Sequence, residues 1–204
     1  SDPRLGTEVV VIVCELEAGL DEAYQVAREC EALLLERSAH AATHVVRTRM
    51  LQCWCHIWRG RLREIAETVP RLVKDAEERG NLYLATSAVT DIGYILGMVQ
   101  DDPDPVERAL AQRERWWGGV AGGFHLQHLN LAMSRIQLAQ YRGDAELAWT
   151  LADDLYERWR RSVLRRGMMF RGLVHQLRAR AALGLAERDP VRRPELLAVA
   201  RAAV

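Results

Sequence analysis

The stretch Tyr141-Arg142-Gly143-Asp144 decides the fold, because it interrupts two segments whose apolar residues recur with the spacing of an α-helix. A comparable turn recurs about every 41 residues. Each turn lies between two stretches of helical pattern, so the chain is expected to form a series of helix-turn-helix units. The turns are Glu17–Asp21, Trp58–Arg61, Gln100–Asp102, Tyr141–Asp144 and Ala186–Asp189.

Single residues anchor these turns at a nearly constant spacing. Gly19, Gly60 and Asp101 are 41 residues apart, and Gly143 follows after 42 residues. Units at a fixed interval are typical of an α-solenoid, in which each unit packs against the next. The sequence therefore predicts an all-α fold, an α-solenoid of about five helix-turn-helix repeats, as one domain over residues 1–204. The chain lacks a first methionine and ends in an alanine-rich helix, so we expect a fragment of a larger protein.

Apolar residues recur at matching positions of successive units. One helical hairpin cannot cover its own apolar face, so we expect these positions to be buried against the neighbouring hairpin. Five residues before the anchor lie Cys14, Cys55, Leu96 and Leu138; five after it lie Tyr24, Ile65, Val106 and Ala148; nine after it lie Arg28, Val69, Leu110 and Ala152.

The apolar periodicity and local capping signals predict where the helices begin and end. Asp104-Pro105 is an N-cap followed by a proline at the first helical position, and Gly80 is a C-terminal stop. Pro70 is expected to kink its helix, or Thr68 to begin a new segment there. First helices are predicted over 5–17, 40–58, 81–99, 124–141 and 168–186, and second helices over 21–37, 61–79, 104–117, 145–165 and 194–203.

The charge balance argues against several classes of partner. Basic and acidic residues number 28 each, so the net charge is zero and no strong field attracts nucleic acid or an acidic membrane. No export signal is present, and the apolar stretch Val9–Val13 is too short to span a bilayer. We therefore expect a cytoplasmic protein with reduced cysteines, which binds neither nucleic acid nor a membrane.

Two groups of residues resemble metal sites but lack the full ligand pattern. In Cys53-Trp54-Cys55-His56 only Cys53 and His56 share a helix face, and no second ligand pair matches. His125 and His128 share a face but have no third ligand nearby. No catalytic motif is evident either. The sequence thus predicts buried thiols, no metal, no cofactor and no enzymatic activity.

The stretch Arg158–Arg166 carries five arginines and Trp159. Cations near the C-terminus of a helix complement its dipole and pair with neighbouring carboxylates, which is the simpler interpretation. An acidic partner or RNA is the alternative, because arginine and aromatic residues together bind phosphates and bases.

Several phrases resemble a known family. The pattern Arg142-Gly143-Asp144-x-x-x-Ala148-Trp149 looks like a tetratricopeptide (TPR) turn with its second-helix alanine. Over about 50 to 190, the chain resembles the C-terminal TPR-like region of large bacterial proteins in which a serine/threonine kinase-like domain precedes an AAA/STAND-type ATPase module. The resemblance implies a sensor or protein-docking tail. Its other phrases are Arg79–Thr86, Gly123–His128, Tyr141–Asp144 and Leu177–Leu183.

The leading hypothesis is a non-catalytic regulatory scaffold that docks a partner protein or its own upstream kinase or ATPase domains. In an α-solenoid the first helices line the concave face, so polar and aromatic residues there are the candidate contacts. Arg47 and Arg135 are suited to pair with carboxylates of a partner. The rival explanation is that these groups satisfy one another between helices. The candidates are His44, Arg47, Trp54, Thr86, Thr90, Gln127, His128, Arg135 and His175.

The alternative hypothesis is a small-molecule sensor, as in maltose-regulator-like transcription activators, which also carry superhelical repeats. A closed pocket with several converging polar groups favours that alternative, whereas a long open groove favours the scaffold. Terminal repeats of a solenoid need polar caps, and the last helix, 198–204, has little polar surface. We therefore expect either self-association through an exposed end or a missing continuation of the repeats.

Overall fold

A computed structural model describes residues 19–37, 42–117 and 123–203. This part of the chain is helical and contains no strand, so the all-α prediction is confirmed. The predicted helix over 5–17 lies outside the described residues. The helices are α1 (Leu20–Arg37), α2 (Ala42–Trp58), α3 (Leu62–Glu78), α4 (Leu82–Val99), α5 (Asp104–Trp117), α6 (Leu126–Tyr141), α7 (Ala145–Arg160), α8 (Met168–Ala186) and α9 (Arg193–Arg201).

The contacts divide the chain into two compact units, with the boundary between Val99 and Gln100. In the first unit, α1 packs on α2, α2 on α3 and α3 on α4, and α2 also contacts α4. In the second unit, α5 packs on α6, α6 on α7, α7 on α8 and α8 on α9, and α6 also contacts α8. Each helix thus packs on its sequence neighbour within a unit, as short connections favour.

The anchors share a backbone conformation that explains their residue types. Gly19, Gly60 and Gly143 have φ of 94°, 68° and 73°. Glycine adopts this left-handed region without a Cβ penalty, which suits it to end a helix. Asp101 takes the same place with φ 53°, and among the described residues no other non-glycine has a positive φ. Aspartate tolerates this region better than most residues, so the four anchors share one backbone conformation, which Gly80 and Gly123 also adopt.

Two of these glycines end their helices with a Schellman motif, which satisfies carbonyls that would otherwise lack a donor. The N–H of Gly60 donates to the Ile57 carbonyl and that of Arg61 to the His56 carbonyl, both at 2.9 Å. In the turn that precedes α7, the Gly143 N–H donates to the Gln140 carbonyl at 3.0 Å and the Asp144 N–H donates to the Ala139 carbonyl at 2.9 Å.

An arginine beside each of these glycines reaches back to the first turn of an earlier helix. Arg59 pairs with Asp21 in α1, and Arg142 pairs with Asp104 and with Glu107 in α5. In both cases the arginine and the aspartate are 38 residues apart. The same contact therefore recurs once in each unit, at the same place relative to the turn.

The recurring apolar positions are largely buried, as stacking requires. In α3 the buried side chains follow the helical spacing, and Pro70 on the opposite face is exposed. The helix continues through Pro70, so the alternative in which Thr68 begins a new segment is wrong. Among the aligned positions, the most buried side chains are Cys55, Ile65, Val69, Leu110, Leu138, Ala148 and Ala152; Tyr24, Leu96 and Val106 are half-buried, and Arg28 is exposed.

Helix α4 differs from its neighbours in having a π-helical middle, Ala88–Gly93. Gly93 packs closely there: a Cβ would lie 3.0 Å from the Ala88 carbonyl oxygen and 3.3 Å from a Val69 methyl group. By length and composition α4 is apolar enough to cross a membrane, but most of it is buried inside the protein. The core helix of a globular unit has the same composition.

Helix α7 ends five residues earlier than predicted. It stops at Arg160, and a short 3-10 helix, Val163–Arg166, leads to α8. The cause is Ser162, whose hydroxyl donates to the Trp159 carbonyl at 2.8 Å and accepts from the Leu164 N–H at 3.2 Å. Serine competes for backbone groups in this way and so favours caps over helix interiors. The prediction of helix to 165 is therefore wrong.

Candidate functional site

The candidate residues of the first unit lie on α2 and α4. His44 and Trp54 are half-buried, and the structure describes the backbone but not the side chain of Arg47. Thr86 and Thr90 are fully buried in α4. Their hydroxyls donate to carbonyls one turn earlier, at 2.8 and 3.0 Å. These two threonine side chains are therefore buried and form hydrogen bonds within α4.

A half-buried carboxyl, that of Asp91, lies beside Thr90 in the π-helical part of α4. The Thr90 hydroxyl also lies 3.1 Å from Asp91 Oδ1. Burial raises the pKa of Asp91 to about 7, because a carboxylate loses its hydration there, and the Thr90 hydrogen bond opposes that rise only in part. This group was not among the sequence candidates, since nothing in its spacing marks it.

In the second unit, His128 caps the start of α6. Its Nδ1 accepts from the His125 N–H at 3.0 Å, and its Nε2 lies 3.2 Å from the Trp117 carbonyl oxygen. This geometry requires a neutral ring that carries its proton on Nε2. Burial lowers the pKa of His128, which favours that neutral form. Gln127, the preceding candidate, is buried.

Arg135 in α6 forms a two-pronged ion pair with Glu114 in α5. The two guanidinium–carboxylate distances are 2.9 and 2.8 Å. The Arg135 side chain keeps about a third of its surface exposed, at 31%, and Glu114 is more exposed. A partially exposed arginine with a fixed orientation can also meet a carboxylate from outside the chain.

His175 in α8 packs edge-on against two aromatic rings of α7. Its centroid lies 5.6 Å from that of Tyr156 and 5.8 Å from that of Trp159. Trp159 is almost fully buried, and its indole N–H has no acceptor among the described residues. His175 is half-buried at the edge of this aromatic cluster.

Arg178 extends the cluster, although the sequence did not single it out. Its guanidinium lies 4.0 Å from the Tyr156 ring centre and 5.7 Å from that of Trp149. It also pairs with Asp153 at 2.6 Å. The ion pair and the ring contacts hold this side chain in one orientation. Its position three residues after His175, on the same helix face, is the signal that identifies it.

Phe124 joins this region to the start of α6. Arg158 lies over its ring at 5.0 Å, and its centroid lies 5.9 Å from that of His128. The described part of the second unit thus brings His128 and His175 into one arginine-aromatic region on α6, α7 and α8. Arg135 lies on the α5–α6 side of the same unit.

A cavity of about 380 Å³ opens between the ends of α6, α7 and α8. Ala148 and Ala181 are buried in its lining, and Arg180 and Arg188 also line it. The Gln140 side-chain oxygen in the same lining is buried without a hydrogen-bond partner among the described residues. The cavity exists because several lining side chains are small, and polar groups surround it.

The cysteines in α2 are buried, as predicted. Cys53 and Cys55 are both fully buried, whereas Cys30 in α1 is half-buried. Burial, reinforced by Cys55, raises the pKa of the Cys53 thiol to about 12. A thiol with that pKa forms almost no thiolate at neutral pH and reacts slowly. Over residues 19–37, 42–117 and 123–203, no group of three or more metal-ligating side chains comes together.

The chain matches no protein-family model, no curated protein and no solved structure.

Proposed function

We propose that this chain is a non-catalytic helical-repeat scaffold of the TPR-like kind, which docks a partner protein segment in the cytoplasm. The observation that carries the proposal is the recurring turn contact, Arg59 with Asp21 and Arg142 with Asp104. A contact of the same kind in both compact units supports a repeat array, in which equivalent helices pack in equivalent ways. Repeat arrays present extended surfaces, and binding is the function that such surfaces serve.

The surface proposed for the partner includes the α6 face around Arg135. This arginine is oriented by Glu114 and remains partly exposed, so it is available to an acidic group of a partner. His175 and Arg178 on α8, a helix that also packs on α6, provide a second set of aromatic and cationic contacts in the same unit. Arginine and aromatic residues are the types that dominate binding energy in protein interfaces.

The full chain, immobilised in a lysate of its native cells, tests the proposal. Captured proteins are identified by mass spectrometry for the wild type, for Arg135→Ala and for Glu114→Ala. Both variants break the same internal ion pair, but only Arg135→Ala removes the cation. We expect a partner that is lost with Arg135→Ala and retained with Glu114→Ala. Equal loss with both variants, or no captured protein, contradicts the proposal.

A small-molecule sensor is the second candidate, favoured by the cavity of about 380 Å³ beside Gln140 and Arg180. A volume of this order accommodates a small ligand, and the buried Gln140 oxygen lacks a donor. Gly184 lines the cavity and has open space where a Cβ would be. Gly184→Leu is therefore expected to fill the cavity and to abolish any ligand-induced rise in melting temperature without unfolding α8.

A further inference from the structure

The segment from Arg158 to Ala186 contains eight arginines and no acidic residue. It covers the end of α7, the 3-10 helix and all of α8. Carboxylates of α7 neutralise several of these arginines: Arg160 pairs with Glu157 at 2.5 Å and Arg178 with Asp153 at 2.6 Å. The arginines that lack such a carboxylate are the ones whose positive charge can attract an acidic partner.

Four arginines of the segment form no ion pair with any described residue. One is the exposed Arg180 near the end of α8, and the other three lie at the connection between α7 and α8. Arg165 and Arg166 end the 3-10 helix, Arg171 lies in the first turns of α8, and all three are exposed. Arg161 is 71% exposed and shares Glu157 with Arg160 at the longer distance of 3.1 Å. Exposed guanidinium groups without a carboxylate partner leave a local positive field on a chain whose net charge is zero.

The connection that carries these arginines is held in one conformation. Ser162 caps the 3-10 helix, and the Gly167 N–H donates to the Leu164 carbonyl at 3.0 Å. Phe170 packs against Gly167 so closely that a Cβ there would lie 2.8 Å from its ring. A connection fixed in this way loses little conformational entropy when a partner binds.

Val163 lies within this connection and is 68% exposed. We call the set Arg161, Val163, Arg165, Arg166 and Arg171 the arginine surface. A large exposed apolar side chain among unpaired cations suits a partner that combines acidic groups with an apolar side chain. Proteins that bind single-stranded RNA combine cations with aromatic rings on which the bases stack, but Trp159, the aromatic residue between these arginines, is only 5% exposed and lies in the core.

We propose that the arginine surface binds an acidic protein segment, with its carboxylates on Arg165, Arg166 and Arg171 and one apolar side chain against Val163. The inference rests on the proposed docking function and names the chemistry of one partner segment. It places that segment at the connection between α7 and α8, beyond the first-helix residues that the sequence predicts.

Titration by fluorescence anisotropy tests the surface with the full chain. The probe is a labelled 12-residue peptide of Glu and Asp around a single leucine, and a peptide with Ser in place of leucine is its control. The variants are Arg165→Gln/Arg166→Gln/Arg171→Gln and Val163→Ser. A charge-matched control, Arg108→Gln/Arg193→Gln/Arg201→Gln, removes three exposed arginines elsewhere in the second unit that also form no ion pair with a described residue. Circular dichroism confirms that each variant is folded.

We expect the triple variant at the arginine surface to lose about tenfold or more in affinity, and the charge-matched control to lose much less. Val163→Ser is expected to weaken the leucine peptide but not the serine peptide, and added salt to weaken both peptides. Equal loss in the two triple variants would show a non-specific charge effect and overturn the proposal. Tighter binding of an RNA 12-mer, or of vesicles with 30% anionic lipid, than of the leucine peptide would also overturn it.

The lysate capture separates this inference from the docking function. If the wild type and the Arg165/Arg166/Arg171 variant capture a native partner equally well, the docking function is supported. The proposal that this partner binds at the arginine surface is then contradicted. If no protein is captured but the leucine peptide binds specifically, the proposed docking function is contradicted. The proposal that the arginine surface binds an acidic segment with an apolar side chain then still stands.

Discussion

Arg142 lies against Glu107, 35 residues earlier in the chain, with 2.9 Å between guanidinium and carboxylate. The pair joins the turn before α7 to the first turn of α5. Arg142 also pairs with Asp104, and in the first unit Arg59 makes the contact equivalent to that second pair, with Asp21. The position of the arginine, one residue before the turn glycine, is the same in both units. An arginine–aspartate contact of the same kind therefore occurs in both compact units.

A double-mutant cycle of Arg142→Ala and Glu107→Ala measures this contact. Both side chains are more than a third exposed, so solvent weakens their attraction. We expect a coupling of about 0.5 to 1 kcal/mol in the free energy of unfolding, from urea titrations in low salt. Arg108→Ala in place of Arg142→Ala is the control and should show no coupling to Glu107. A coupling of zero for Arg142 means that its pair with Glu107 does not stabilise the unit.

His128→Ala is expected to lower the free energy of unfolding by about 0.5 to 2 kcal/mol, because α6 loses the acceptor for the His125 N–H. His128→Gln keeps an acceptor at this position and should retain most of the stability. Thermal unfolding at pH 7.5 compares the three proteins. If His128→Gln is as unstable as His128→Ala, the ring packs and does not cap.

The same histidine gives the protein a pH dependence. Its folded-state pKa is lowered, so the neutral form is favoured in the native state. The stability that it contributes is fully present above the unfolded-state pKa of about 6.5 and is lost as the pH falls through the lower folded-state pKa. The difference in unfolding free energy between wild type and His128→Gln should therefore change below pH 6.5 and stay constant above it. A constant difference over pH 5 to 8 contradicts the assignment.

Glycines in two helices are predicted to respond oppositely to alanine. Gly172 and Gly184 in α8 have open space where a Cβ would lie, so Gly→Ala there should stabilise the protein by about 0.5 to 1 kcal/mol. At Gly93 the new Cβ meets the Ala88 carbonyl oxygen at 3.0 Å, and alanine should destabilise α4. Melting temperatures of the three variants test the contrast. Stabilisation by Gly93→Ala would mean that the π-helical segment relaxes without cost.

Thiol labelling tests the burial of the α2 cysteines. In a Cys14→Ser background, a disulfide reagent such as 5,5′-dithiobis(2-nitrobenzoate) should react with the half-buried Cys30 and leave Cys53 and Cys55 unmodified until urea unfolds the protein. Rapid labelling of Cys53 in the native state would contradict its raised pKa and its burial. Cys30→Ser is the matched control and should remove the native-state reaction.

The sequence predicts the helices well because two strong local signals mark them. Turn glycines and the period of apolar residues fall at the same places, and α5 begins and ends as predicted at 104 and 117. Asp101 was aligned with glycines from spacing alone, and it shares the positive φ of those glycines. The end of α7 was missed because the cap at Ser162 depends on a single hydroxyl within an otherwise helical pattern.

The candidate residues were predicted less well, because polar groups on first helices have several competing uses. Thr86 and Thr90 are buried and bond within α4, and His128 caps α6. Periodicity identifies the helix face of such residues but not the carbonyl or carboxylate that satisfies them. Arg135 is the candidate whose geometry best suits a partner, and the pairing of Arg178 with Asp153 required the packing of α7 on α8.

Photo-crosslinking in the native cells tests the proposal that this chain docks a protein on the α6 face around Arg135. A benzophenone amino acid replaces Glu114, which lies beside Arg135 and whose loss should spare the partner, in one variant and the exposed Arg108 of the same helix in the other. The scaffold predicts a defined protein adduct from position 114 and little from position 108. No protein adduct from either position, together with a small molecule that raises the melting temperature of the wild type, would contradict the scaffold and favour the sensor.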